Sequence, residues 1–320
     1  MPTNTRPLAV SAQGLSKSFS DTAAVSGVDL EIGTGAVFGL LGPDGAGKST
    51  LIRMLATVLP PDVGTALVFG KSITDQRDEI TGRIGYMSQK FSMYPDLSVS
   101  ENLEFFATVR GVSRADRKER SQRLLTSMGL AEFAERQAQF LSGGMKQKLM
   151  LATTLMHDPD LLLLDEPTTG VDPVSRREFW RILAGLHQEG RTVLVATPYM
   201  DEAERCTDIA FLDNGRITQS GTPTQIKAQV PGRLVEVISA EPRRAAAILA
   251  PLPGVVSAHL LGDVVRVLWT GDSDPEAALR AALQRGGLAE AEVAEAGIDM
   301  ETVFAYLAEK SSAASELVSP

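Results

Sequence analysis

Short uninterrupted apolar runs alternate with amphipathic stretches from Val10 to about Gly221. AVFGLLG (36–42), LLLLD (161–165) and TVLVAT (192–197) have the pattern of strands buried on both faces. KSTLIRMLATVL (48–59) and PVSRREFWRILAGLHQEG (173–190) instead space their apolar residues as helices do, the second closed by Gly190. This alternation predicts parallel strands with helical crossovers, an α/β domain over residues 9–228. Residues 98–140 differ. SVSENLEFFATVRGV and SRADRKERSQRLLTSMGL are helical in period with no strand-like run, so a helical subdomain is expected inside the sheet domain, with Ser98 and Ser113 as N-caps. Pro231-Gly232 marks a boundary. Beyond it LVEVISA, PRRAAAILAPL, VSAHLLG, VVRVLWT, DPEAALRAALQRGG and AEVAEA read as β-α-β-β-α-β, a small α+β ferredoxin-like domain over 233–310. A last helix is expected over DMETVFAYLAEK (299–310). The first eight residues and the tail 311–320 are expected to be disordered.

Composition narrows the classes. A chain of 320 residues suggests two domains, and 43% hydrophobic with 22% charged residues is ordinary for a soluble globular protein. The net charge of −9 argues against broad nucleic-acid binding, which needs a basic face. Cys206 is the single cysteine, which rules out an intrachain disulfide and fits a reducing compartment. The start, MPTNTRPLAV, has no signal-peptide core, and no apolar run approaches the roughly 18–20 residues that cross a bilayer. A membrane role is therefore expected only through a partner, at the cytoplasmic face.

The chemistry begins at Gly42-Pro43-Asp44-Gly45-Ala46-Gly47-Lys48-Ser49, which fits G-x-x-x-x-G-K-[ST] with a strand before it and a helix after. Glycines let backbone N–H groups turn inward around phosphates, and the helix N-terminus adds partial positive charge. Lys48 is expected to reach the β/γ-phosphates and the Ser49 hydroxyl to bind Mg2+, with Thr50 beside them among the nucleotide-binding positions. LLLLDE (161–166) supplies the other half: Asp165 at a strand end faces the metal, and Glu166 is the candidate base for the attacking water. A glycine-rich turn and a salt-bridged acidic pair are the bland alternatives.

Those motifs alone admit many P-loop NTPases. LSGGMKQKL (141–149), with Gln89 and the run DEPTTGVDP (165–173), makes residues 9 to 225 resemble the ATP-binding subunits of ABC transporters. KFSMYPDLSVSENLEFFATVRG (90–111), YMDEAERC (199–206) and the C-terminal DMETVFAYLAEK are similar to the drug, antibiotic and lipid exporter group. The resemblance implies a P-loop NTPase (ABC ATPase) fold, ATP and Mg2+ as ligands, and ATP hydrolysis powering transport through a separate permease. It implies that Phe19 stacks on adenine, the alternative being a core aromatic at a strand end. It implies that Gln89 touches the metal and the water, and that Ser142, Gly143 and Gly144 complete the site of a second subunit. Asp172 then lies in the loop that crosses the dimer interface, and residues 90–111 dock the permease.

One departure stands out. The family carries a histidine after the strand that here is TVLVAT, and this chain has Pro198, which lacks both a side-chain donor and a backbone N–H. His157, His187 and His259 all lie elsewhere. A hydrolytically impaired site in a heterodimer, a slow homodimer, and a mainly structural nucleotide-binding partner are all readings of this change. A soluble regulatory ATPase of the same superfamily is disfavoured by the single phosphate loop, the single LSGG and the acidic charge.

Overall fold

In the computed structural model, which describes residues 7–307, two long strands open the chain: β1 (Leu8–Phe19) and β2 (Thr22–Gly33). They pair antiparallel through a tight turn in which Ser20 has a positive φ of 50°. Next come β3 (Val37–Leu41), α1 (Lys48–Leu55), β4 (Val63–Val68), β5 (Lys71–Ser72), α2 (Arg77–Thr81) and β6 (Ile84–Met87). Two helices follow, α3 (Val99–Val109) and α4 (Arg114–Ser127), and then α5 (Gly143–Leu155). The first unit closes with β7 (Leu161–Asp165), α6 (Pro173–Gln188), β8 (Thr192–Thr197), β9 (Asp208–Asp213) and β10 (Arg216–Gly221).

Two sheets result. Strands β6, β7, β8, β3 and β9 run parallel in the order β10-β9-β3-β8-β7-β6, with β10 antiparallel at one edge. The parallel sheet is the one the alternation predicts; beside it stands a second sheet, β2-β1-β4-β5, which is antiparallel throughout. Strands joined by so short a turn can only pair antiparallel, because a parallel partner needs a long crossover. The core joins Val10, Leu30 and Val68 of the antiparallel sheet to Leu40, Leu163 and Leu194 of the parallel one, with Leu51, Ile52, Met54 and Leu55 of α1 among them. Every residue of β3, β7 and β8 is buried. That is why these strands read as unbroken apolar runs. Helix α1 stops earlier than its apolar spacing suggested, because Thr57 turns left-handed at φ 60°.

The segment between Ser98 and Phe140 is helical. Ser98 accepts from the Glu101 N–H while Glu101 Oε2 accepts from the Ser98 N–H at 2.7 Å, a reciprocal cap on α3. Ser113 caps α4 through the Asp116 N–H.

The second unit begins at Pro223, with α7 (Pro223–Lys227). It continues with β11 (Arg233–Ile238), α8 (Pro242–Leu249), β12 (Val255–Leu261), β13 (Val264–Trp269), α9 (Pro275–Arg285) and β14 (Glu292–Ala296). Its sheet order β12-β13-β11-β14, all antiparallel, is the ferredoxin-like arrangement. Both helices pack on one face of it around Val235, Val265, Val267, Leu249, Leu279 and Leu283. The division falls between Thr222 and Pro223, ahead of Pro231-Gly232. At that pair Gly232 has φ 82°, and a Cβ there would run into the Trp269 carbonyl of the same unit. The chain is helical over 300–307, and the rest of the expected last helix and the tail lie outside the described residues. At the other end the expected disordered start reaches too far, since Leu8 is already in β1; residues 1–6 lie outside the described part. Among the described residues no helix is long and apolar enough to cross a membrane.

Candidate functional site

The registers of the parallel sheet bring three loops together. Leu40 and Asp165 both pair with Ala196 across β8. The residues that follow, Gly42, Glu166 and Pro198, therefore leave the sheet at the same carboxyl edge, where ligands bind in open α/β sheets.

Gly42–Gly47 wraps from β3 into α1. A Cβ at Gly42 would run into the Leu212 carbonyl oxygen, and one at Gly47 into that of Ala24; Gly47 also has φ 103°. The glycines thus let the loop close against β9 and β2. Pro43, Asp44 and Gly45 are exposed on its rim and Ala46 is buried beneath it. Gly47 begins α1 with no side-chain cap, so the first-turn N–H groups point outward from the helix start, the arrangement that receives a phosphate. Ser49 and Thr50 are half-buried on that first turn.

Lys48 is buried, and its Nζ donates to the carbonyl oxygens of Gly42 and Pro43, each at 2.9 Å. It also stands 3.4 Å from Glu166 Oε1. Ser49 Oγ donates to Asp165 Oδ1 at 2.8 Å. Gln89, just beyond β6, donates from Nε2 to Glu166 Oε2 at 2.8 Å. Lys48, Ser49, Gln89, Asp165 and Glu166 are therefore one connected group, drawn from three separate parts of the chain. Glu166 has φ 50° although it is not glycine, and its N–H donates to the Ala196 carbonyl at 2.9 Å. Backbone strain of this kind persists only where its surroundings hold it.

Asp165 is fully buried, and its Oδ2 has no hydrogen-bond partner. Burial pushes its carboxyl above the usual carboxylate range, against the Ser49 hydrogen bond and with the help of the Glu166 charge. A buried orphan carboxylate oxygen beside a serine hydroxyl fits a cation. Among the described residues no cluster of three His, Cys, Asp or Glu would hold a metal alone. The donor set suits Mg2+, which uses one or two protein ligands and takes the rest from phosphates and water.

The remaining expected residues sit apart. Phe19 ends β1 with half of its surface exposed and its ring 6.0 Å from Lys17 Nζ, so it is not a core aromatic. Ser142 caps α5 by accepting from the Met145 N–H, and Gly143 and Gly144 form the first turn. No hydrogen bond among the described residues joins Ser142, Gly143 or Gly144 to the Gly42–Ser49 loop. Asp172 caps α6 through the Val174 and Ser175 N–H groups, and hydrogen bonding from Ser175 holds its carboxyl below the usual range. His157 faces the Ile84 carbonyl at 2.8 Å with its pKa pushed down by burial, His187 lies in α6, and His259 is on β12 of the second unit. Neither His157 nor His187 is hydrogen-bonded to the connected group among the described residues. One neighbour of Glu166 escaped the sequence reading: Thr169 Oγ1 donates to Glu166 Oε2 at 3.2 Å. Its only signal is a hydroxyl three residues on, which has no meaning until the turn is known.

The profile of the ABC transporter family matches residues 25–169. "Probable multidrug ABC transporter ATP-binding protein YbhF" of Escherichia coli (strain K12) is 44% identical over 220 residues, 69% of this chain but only 38% of that protein. The daunorubicin resistance ATP-binding protein DrrA3 of Streptomyces coeruleorubidus is 35% identical over 305 residues, 93% of this chain and 95% of that one. A solved dimeric ATP-binding cassette, MJ0796 in a post-hydrolysis state with ADP and Pi, superposes with a TM-score of 0.61 at 26% identity, covering 67% of this chain and 98% of that one.

Proposed function

This chain belongs to the ABC transporter family of ATP-binding proteins, and from that membership we propose that it binds and hydrolyses MgATP to drive an exporter through a separate membrane permease. The observation that carries this reading is the connected group Lys48, Ser49, Asp165, Glu166 and Gln89, with Asp165 Oδ2 left open beside Ser49 Oγ. In the mechanism, Lys48 leaves the loop carbonyls and Glu166 to meet the β/γ-phosphates, while the α1 N-terminus and loop N–H groups hold the anion. Ser49 and Asp165, with Gln89 at the edge, would hold Mg2+, which when bound offsets charge on the transferring phosphoryl group. Glu166, released from Lys48 and oriented by Gln89 and Thr169, positions the attacking water and takes its proton. Phe19 covers the adenine.

The site built on this loop is half of a working one. Ser142, Gly143 and Gly144 form a helix start that makes no hydrogen bond to their own chain's loop among the described residues and is suited to the γ-phosphate on another subunit. Pro198 offers no donor to the γ-phosphate held on this chain's own loop, so a heterodimer with a second ATP-binding subunit is the favoured assembly. Retention of Glu166, tethered and buried, speaks against a purely structural partner. The permease surface in this reading is the segment 90–111. There Tyr94 and Phe105 are exposed and pack edge-on at 4.7 Å, and Val109 extends the patch. Apolar exposure of this kind suits a short amphipathic helix. The chain then works at the cytoplasmic face of the membrane, peripheral through the permease. Drug-like cargo is inferred from the names of its relatives, and no nucleic acid takes part.

The test is nucleotide binding. The full chain binds MgATP, and Lys48→Ala weakens that binding by roughly 10- to 100-fold, the value of one charge-assisted phosphate contact. Titration with a fluorescent ATP analogue reads it; equal affinity in both proteins overturns the proposal.

A further inference from the structure

Behind the reacting groups lies a carboxylate that the mechanism does not use. Glu202 is 1% exposed and belongs to the 3-10 segment Met200–Arg205, just after Pro198. Its Oε1 accepts from Thr168 Oγ1 at 2.7 Å, and Thr168 is also 1% exposed. Its Oε2 is buried with no hydrogen-bond partner. A carboxylate held this far from water on one hydrogen bond carries a desolvation cost of several kcal/mol in general, so it is a poor choice for stability alone.

Its placement points to another use. Thr168 lies two residues after Glu166, inside the turn closed by the Thr169 N–H donating to the Glu166 carbonyl and the Val171 N–H donating to that of Thr168. That turn carries the left-handed backbone of Glu166 and aims its side chain at Lys48 and Gln89. The segment on the other side is tied down as well: Arg176 of α6 lies 3.7 Å from Asp201 and its guanidinium stacks 4.7 Å over the Tyr199 ring. The loop after β7 and the loop after β8 are therefore clamped to each other, with the Thr168–Glu202 hydrogen bond as the buried link.

We propose that Glu202 is a positioning residue for hydrolysis: through Thr168 it holds the turn that fixes Glu166 in its working geometry. The inference rests on the ATPase reading above. It assigns the loop after β8 a role that needs no histidine, since Glu202 acts from four residues beyond Pro198.

The experiment uses the full chain, with two readouts: MgATP affinity from the fluorescent analogue, and phosphate release from [γ-32P]ATP in single turnovers at enzyme excess. Thr168→Val removes the hydroxyl at constant shape. It lowers the hydrolysis rate by about 10- to 100-fold, the scale of a misplaced catalytic group, and leaves MgATP affinity unchanged. Glu202→Gln keeps an acceptor for Thr168 and retains the wild-type rate. If Thr168→Val does not fold because the buried Glu202 has lost the Thr168 hydrogen bond, the double variant Thr168→Val/Glu202→Leu removes both polar groups, and the same split between rate and affinity is read on it. Variants that melt earlier but hydrolyse at the wild-type rate overturn the inference, as does a Glu202→Gln rate as low as that of Thr168→Val. A wild-type chain that binds MgATP yet releases no phosphate also overturns it, whereas a chain that does not bind MgATP overturns the function proposed above instead.

Discussion

At the scale of single residues the site is a balance of buried charges that a nucleotide must rearrange. Lys48 is turned onto its own loop and toward Glu166, and Asp165 keeps one oxygen for a cation. Pro198 is the residue whose replacement is most informative. It follows Thr197, whose hydroxyl accepts from the Tyr199 N–H at 3.1 Å, so the proline is spanned by a local hydrogen bond. Pro198→His supplies a donor at the carboxyl edge of β8 and is expected to raise phosphate release by the purified chain at least tenfold, since one such donor is typically worth on the order of 10²–10³. An unchanged rate means the proline is not what limits turnover. The acidic pair and the phosphate loop were legible in the sequence because their chemistry lives in contiguous residues. The positive φ of Glu166 and its hydrogen bond from Thr169 were not, because both depend on how the turn after β7 closes.

Among elements, the start of α5 shows most clearly how packing overrides propensity. Gly144 lies in the first turn, where alanine is ordinarily the better helix former by about 1 kcal/mol. A Cβ at Gly144, however, would come within 2.6 Å of Ser175 Cβ and Oγ on α6. Gly144→Ala is therefore expected to destabilise the chain by about 1–3 kcal/mol despite the gain in propensity, as overpacking does. Adding Ser175→Gly should recover most of the loss. Denaturant melts of the two variants decide it, and a Gly144→Ala chain as stable as the parent refutes the tight contact. The sequence pattern located β3, β7, β8 and α6 because strands buried on both faces and amphipathic helices have distinct periods. It passed over the antiparallel sheet, whose long bulged strands alternate less regularly; the β1–β2 register shifts four times.

For the molecule as a whole, every residue of the connected group at the phosphate loop lies before Thr222, and the second unit has its own core. A chain ended after Thr222 is expected to keep MgATP affinity, measured with the same analogue; loss of binding with fold retained assigns the second unit a part in the site. The sequence by itself determined the chemistry: a loop whose glycines admit phosphate, a lysine, a hydroxyl and two carboxylates at fixed spacings, and a β-α-β-β-α-β order in the second unit. These are local because each motif needs only its own few residues and one element's periodicity. Only the tertiary structure decided which distant segments meet. The Ala196 register sets Glu166 beside Lys48, Gln89 crosses to Glu166, and Thr168 reaches the buried Glu202. These pairings are long-range, and they exist because sheet order brings those polar groups together away from water, where each needs a partner.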